Sequence, residues 1–175
     1  RQMCIRDSIW IYETIGFLGV SILCALLPLM VMTGMHTMMT PYWTSAFASL
    51  GYDPFFLPAM ILSNMNQFAA TLAVSLKAKT KKVKSTAMSC AVTAIVGGVT
   101  EPAMFGITFK YKKPLYAAMI GNAAGGLIAG LLKVACYAFP GSGGMFAVVT
   151  FAGPGNNLIF FLIAASVSYT HLRAH

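Results

Sequence analysis

The chain is short of charge, and above all of acid: four Asp and Glu stand against twelve Lys and Arg, and charged residues make up only 9% of the 175. A soluble domain carries roughly 25%. With hydrophobic residues at 58%, the composition excludes an ordinary soluble globule and indicates an integral membrane chain. The formal net charge of +8 does not mark a nucleic-acid binder. Its lysines sit in short loops between apolar runs and are not interleaved with aromatics on one face, so no nucleic-acid partner is expected. Four cysteines, Cys4, Cys24, Cys90 and Cys136, show no short paired spacing. That excludes a zinc knuckle or a disulfide framework, and no metal or cofactor is expected. Three of them fall inside apolar runs and read as small core residues. Glycine is plentiful, yet no glycine-rich stretch follows a strand or precedes a lysine-threonine pair, which excludes a nucleotide loop.

What is present is a polar break in an apolar segment. Gly97-Gly98-Val99-Thr100-Glu101-Pro102 interrupts residues 85–109. An ionised side chain at the centre of a membrane segment costs about 2.5 to 3.5 kcal/mol on insertion scales, so Glu101 is a functional candidate by default. Proline suits the first turn of a helix and not its interior, while glycine permits a turn. Two half-helices meeting at residues 97–102 are therefore expected, and irregular backbone at that depth needs protein or a watery cavity around it. The alternative is a kinked core helix holding a neutral, hydrogen-bonded glutamic acid.

Lysines flank this segment: Lys77, Lys79, Lys81, Lys82 and Lys84 before it, Lys110, Lys112 and Lys113 after it. Short loops rich in Lys and Arg stay cytoplasmic. Both ends are then expected on one face of the bilayer, which makes the segment re-entrant. The lysines are read as head-group contacts with lipid, without a catalytic role.

Residues 9–33 form an earlier apolar run, with Trp10 and Tyr12 as interfacial anchors and Glu13 snorkelling near its start. Pro28 and Gly34 kink or end it, and a second polar break follows at residues 33–41. His36 lies there in a Gly/Pro-bounded setting like that of Glu101, and stands evenly between a structural and a functional reading. Residues 42–50 form a short amphipathic piece, and Gly51-Tyr52-Asp53-Pro54 reads as a turn that uses Asp53 structurally.

The apolar run 54–76 carries a knot of amides and hydroxyls: Ser63, Asn64, Asn66 and Gln67. Unpaired amides in hydrocarbon are costly, so they face protein, water or ligand. Helix-to-helix hydrogen bonds and ligand contact are equal readings, and a sugar is the ligand such groups suit. Residues 114–139 form a glycine-rich span in which Gly121 and Gly125, then Gly126 and Gly130, allow close helix approach. Pro140-Gly141-Ser142-Gly143-Gly144 reads as a turn, and residues 145–167 as a last span interrupted at residues 153–157.

Residues 1–8 and 168–175 break abruptly with these runs and resemble translated adaptor sequence. Both are expected to be non-native, and Cys4 beside Arg6 is assigned to that sequence instead of to a phosphate-accepting cysteine loop. Residues 9–167 are expected to be a membrane-embedded fragment of a longer protein.

Gly34-Met35-His36 followed by Pro41, then Gly51-Tyr52-Asp53, Asn64 and Gln67 before Ala73-Val74, the lysine loop, and Val99-Thr100-Glu101-Pro102-Ala103-Met104-Phe105-Gly106 form an ordered set of motifs. Over residues 25–140 this resembles the membrane-embedded IIC component of the sugar phosphotransferase system, in its glucose superfamily and nearest the β-glucoside, sucrose and trehalose branch. The last string is the most specific. Val99 stands where the family reads isoleucine, and Thr37 where many relatives carry an aromatic or histidine, which leaves the sugar open.

The resemblance implies an all-α integral membrane fold, with transmembrane helices and two re-entrant helical hairpins forming the substrate domain of a IIC-type permease. It implies a multi-pass protein of the bacterial cytoplasmic membrane, and a homodimer formed through a separate part mostly missing from this chain. Sugar would be bound, carried across and phosphorylated by a phosphocysteine on a IIB domain, itself supplied through IIA. Glu101 and His36 match the family's glutamate and hairpin histidine. They are the catalytic candidates, and Glu101, His36, Thr100, Asn64, Asn66 and Gln67 are the substrate-binding candidates. Which of Glu101 and His36 takes the hydroxyl proton stays open. A proton-coupled secondary sugar transporter is the rival reading, since it also uses an intramembrane carboxylate and broken helices.

Overall fold

The computed structural model of the chain describes residues 2–141, 143–153 and 156–174, with side chains described for 16–141, 143–153 and 156–169. The expectations for Trp10, Tyr12, Glu13, Cys4 and Arg6 concern side chains outside that set. Among the described residues the fold is all-helical apart from one isolated antiparallel bridge between Asp53 and Cys136. The helices are α1 (Gln2–Met32), α2 (Thr40–Leu50), α3 (Phe56–Lys77), α4 (Lys81–Val92), α5 (Glu101–Ala103), α6 (Phe109–Tyr111), α7 (Lys113–Leu131) and α8 (Asn157–Ala174). Two π-helical turns, Thr93–Gly97 and Met104–Thr108, follow α4 and α5, and 3-10 turns occupy Met35–Met39 and Met145–Phe151.

Helix α3 is the centre of the packing, touching α1, α4, α7 and α8. Asp53 starts it in the way the turn motif implies. Its buried carboxylate accepts the backbone N–H groups of Phe55 at 2.9 Å, Phe56 at 3.2 Å and Leu57 at 2.8 Å, which caps donors that a helix start leaves open. The core around it includes Val20, Leu27, Phe56, Leu62 and Phe161, with Phe151 and Phe161 stacked at 4.0 Å.

The glycines of α7 are divided between two partners. A Cβ at Gly125 would lie 2.8 Å from the Ser168 side chain on α8, whereas one at Gly126 would lie 2.8 Å from Cys24 and one at Gly130 2.6 Å from the Phe17 backbone, both on α1. Close approach of two helices to α7 therefore depends on these positions lacking side chains.

The span expected over 114–139 ends earlier, at Leu131. Lys133 adopts φ 50°, its N–H bonds to Gly130, and the Val134 N–H reaches back to Ala129 at 2.9 Å. This is a Schellman ending built on lysine in place of the usual glycine. Residues 134–136 are buried but pair with the turn at Asp53. The run 145–167 is likewise split, as a 3-10 turn and α8, and the side chain of Asn157 ties the two to the chain at Ala135 and Phe151.

Among the described residues one helix, α7, is long and apolar enough to cross a membrane by length and composition, and Gly16–Met32 and Asn157–Tyr169 are shorter apolar stretches. The outward faces of these three helices are apolar, with Ile22, Leu26, Ile120, Leu131, Ile159 and Leu162 all exposed.

Candidate functional site

The backbone reverses between Gly97 and Glu101. Gly98 takes φ 70°, the left-handed conformation glycine adopts freely, and Pro102 sits in the first turn of α5, where its missing N–H costs nothing. The arms on either side run back along each other. Cys90 donates its Sγ hydrogen to the Pro102 carbonyl at 3.5 Å, and a Cβ at Gly106 would lie 3.8 Å from the same sulfur. The expected break is thus a chain reversal, and each arm carries a π-helical turn next to it. Such turns insert one extra residue and are frequent at functional sites.

The tip rests on a loop distant in sequence. A Cβ at Gly98 would lie 2.3 Å from the backbone of both Gly143 and Gly144, and one at Gly144 would lie 2.6 Å from the carbonyl oxygens of Ile95 and Val96. Asn64, in the middle of α3, donates its Nδ2 hydrogen to the Gly143 carbonyl at 3.1 Å. Gly143 and Gly144, which the sequence reads as part of a turn, form the backbone surface on which the tip rests. The signal for that contact was the density of glycine at residues 141–144, which suits backbone-to-backbone contact as well as a turn.

The amide cluster on α3 divides by helical spacing. Asn64, Gln67 and Thr71 share one face at i, i+3 and i+7, while Ser63, Asn66 and Ala70 share another. Asn66 lies between helices. Its Nδ2 donates to Asn122 Oδ1 at 2.5 Å and to Ser168 Oγ, Asn122 Nδ2 donates to Ser63 Oγ at 3.0 Å, and Ser168 Oγ donates to the Gly121 carbonyl at 2.6 Å. This network joins α3, α7 and α8, which is the helix-to-helix use of the amides.

Gln67 is different. It is 1% exposed, and neither its Oε1 nor its Nε2 has a partner among the described residues. Leaving both atoms of a buried amide unpaired costs about 1 to 3 kcal/mol or more, a cost that a hydrogen-bonding partner would remove. Thr100 is buried at 4% and makes no side-chain cap bond. Glu101 is half-buried, and its carboxylate has neither an ion pair nor a hydrogen bond among the described residues.

His36 occupies the 3-10 turn Met35–Met39 after Gly34, whose φ is 74°. It is half-buried, and its Nδ1 has no partner among the described residues. That turn packs on α1 and α2, whereas α5 packs on α3, α4 and the π-helical turns. The structure therefore brings Thr100, Glu101 and the Asn64 contact together at one tip and leaves His36 in another neighbourhood. Helix α2, which follows His36, packs through Trp43 and Phe47 on Phe139. No group of three His, Cys, Asp or Glu suited to hold a metal occurs among the described residues.

A family model described as "Phosphotransferase system, EIIC" matches residues 2–123. The chain belongs to this family. Among curated EIIC-containing proteins, it is 38% identical over 160 residues to the PTS system beta-glucoside-specific EIIBCA component of Bacillus subtilis (strain 168), covering 91% of this chain and 26% of that protein. It is 34% identical over 161 residues to the arbutin-, cellobiose-, and salicin-specific EIIBC component of Escherichia coli (strain K12), covering 90% of this chain and 33% of the relative. A sucrose-specific EIIBC component of Bacillus subtilis is also 34% identical over 161 residues, with 91% of this chain and 34% of the relative covered. The chain spans about a quarter to a third of the length of these relatives. No solved structure matches it. EIIC membership makes the chain part of an integral membrane component of a phosphotransferase system, and the relatives named here are β-glucoside-, arbutin/cellobiose/salicin- and sucrose-specific.

Proposed function

We propose that residues 9–167 form the sugar-handling part of a IIC permease that takes up a glucoside-type sugar, a β-glucoside, sucrose or trehalose, across the bacterial cytoplasmic membrane. The observation that carries the reading is the tip at Gly98: a carboxylate without a partner on a broken helix, beside a buried threonine and above an α3 face that holds a buried, unpartnered amide. In this reading the two arms enter and leave the membrane on the lysine side as a re-entrant hairpin, and the segment around His36 forms a second one. The protein is multi-pass, and it is a homodimer through chain outside these residues.

A sugar offers many hydroxyls, each able to donate to a carboxylate and accept from an amide. Glu101 accepts one or two of them, each charge-assisted bond being worth about 1.5 to 3 kcal/mol. Gln67, Thr100 and Asn64 supply further contacts, His36 is a further candidate contact although its turn packs on α1 and α2, and Asn66 enters the site's periphery through the network it anchors.

Phosphorylation is completed by a partner. A sugar hydroxyl oxygen attacks the phosphorus of the phosphocysteine on IIB, the S–P bond breaks, and the cysteine leaves as a thiolate. Whichever of Glu101 and His36 comes within hydrogen-bond reach of that hydroxyl takes its proton, a contribution of order 10² to 10⁴ in rate. The phosphoryl group reaches IIB through IIA, so the chain itself needs no cofactor. The EIIBC and EIIBCA names of the relatives support these partner domains.

Uptake of radiolabelled sugar by cells carrying the full-length gene tests the proposal. Group translocation delivers sugar phosphate and depends on phosphoenolpyruvate. Delivery of free sugar that stops when the proton gradient is collapsed would establish the secondary-transporter reading instead.

A further inference from the structure

At the end of the arms away from Glu101, a cavity of about 690 Å³ opens between the end of α3, the start of α4, Tyr111 and the start of α7. Ten residues separate Glu101 from Tyr111, roughly 15 Å of helix at 1.5 Å per residue, so this cavity is not the sugar site. Its walls are apolar, with Val74, Val83, Ala117 and Ile120 among them. Its rim carries Lys77, Lys79 and Lys113, and no acidic residue lines it. All three lysines are exposed. Two helices, α4 and α7, begin here without side-chain caps, which adds open N–H donors and the positive end of each helix dipole. Tyr111 and Tyr116 also line the cavity and are exposed, as aromatics at the head-group level of a bilayer are.

An apolar pocket of this size beneath a ring of positive charge has two chemical demands. It suits a ligand with a hydrocarbon part and an anionic head, and a membrane surrounds an EIIC protein with such molecules. We propose that the cavity binds one anionic phospholipid, its phosphate held by Lys77, Lys79 and Lys113 and one acyl chain lying along the apolar wall. The lipid braces the junction where α3, both arms and α7 meet. Lys112 lies in that junction with φ 56°, a backbone conformation costly for a residue with a side chain. The proposal goes beyond the transport reading and does not depend on which sugar is carried.

The test is native mass spectrometry of the purified full-length protein in detergent, titrated with phosphatidylglycerol and with phosphatidylcholine of the same acyl chains. The chain is expected to retain one phosphatidylglycerol with at least a tenfold preference. Each lysine near an anionic head is worth about a fivefold effect. Replacing Lys77, Lys79 and Lys113 together by Gln should therefore weaken retention by about a hundredfold, against less than about fivefold for the same change at Lys81, Lys82 and Lys84. Ala117→Trp fills the cavity with the lysines intact and should also abolish retention. Ile120→Trp, at an exposed wall position, repeats that test if Ala117→Trp loses its helical circular dichroism. Equal retention of the two lipids, equal loss in the two lysine triples, retention surviving the Trp variants, or full displacement by inorganic phosphate would each overturn the proposal. The second outcome would mean diffuse surface charge, and the last a head-group site alone.

Discussion

Asn64 Nδ2 donates to the Gly143 carbonyl at 3.1 Å, and through that bond the centre of α3 holds the loop on which the tip bearing Glu101 rests. The tip itself meets the loop backbone to backbone at Gly98, Gly143 and Gly144. The position of the carboxylate is therefore set by groups some 40 residues away from it in sequence, and by the absence of three side chains.

Gly98→Ala is expected to be among the most damaging single-methyl additions in the chain. The left-handed backbone costs an ordinary residue about 1 to 2 kcal/mol, and displacing Gly143 and Gly144 costs about 1 to 3 more. Gly141→Ala is the control, since a Cβ there meets nothing within 4 Å, and its effect should stay within about 0.5 kcal/mol. Denaturant unfolding of the two variants side by side measures the difference.

Gln67→Leu separates a ligand position from a structural one. Removing two buried, unpartnered polar atoms should raise the stability of the sugar-free protein by about 1 to 3 kcal/mol, while sugar affinity falls by roughly 2- to 10-fold per lost hydrogen bond. Loss of stability with unchanged affinity would make Gln67 a packing residue.

Asn66→Leu should behave in the opposite sense. It leaves Asn122 Oδ1 without its donor, and a stranded buried group costs about 1 to 3 kcal/mol. Stability should drop, and sugar affinity of the folded fraction should change less than in Gln67→Leu. Thermal unfolding and equilibrium sugar binding on the same preparations read both quantities.

Lys77 and Lys79 on one side of the arms and Lys113 on the other line a single cavity. Single cysteines at Lys82 and Lys112 in a cysteine-free background should then both react with an impermeant thiol reagent from the cytoplasmic side alone. Labelling of one from each side would mean that the segment between them crosses the membrane.

Much of this arrangement is legible in the residues. Gly97-Gly98 and Pro102 mark the reversal because their backbone limits are local, Asp53 caps α3 within four residues, and the paired glycines of α7 announce close helices. Other features depend on contacts that local pattern does not carry. Nothing local in Pro140-Gly141-Ser142-Gly143-Gly144 says that the tip lies on it. The spacing of Ser63, Asn64, Asn66 and Gln67 separates two faces, but which face meets a helix is decided by Asn122 and Ser168, more than 50 residues on. The end of α7 is invisible because Lys133 takes a conformation that lysine rarely adopts, while the apolar run continues past it. The π-helical turns beside the tip leave no mark in composition, since one extra residue per turn changes no periodicity over so short a stretch.

The most direct measurement is phosphoenolpyruvate-dependent sugar phosphorylation by Glu101→Gln, with sugar binding and membrane level measured alongside. The substitution keeps the shape and one acceptor oxygen, removes the charge, and turns the other oxygen into a donor. The variant should reach the membrane at normal levels, because on the proposed reading an intramembrane charge has been removed. It should bind sugar more weakly by about 1.5 to 3 kcal/mol for each charge-assisted bond lost and show almost no phosphorylation. Wild-type binding and phosphorylation in Glu101→Gln would contradict the assignment of the tip at Gly98 as the sugar site.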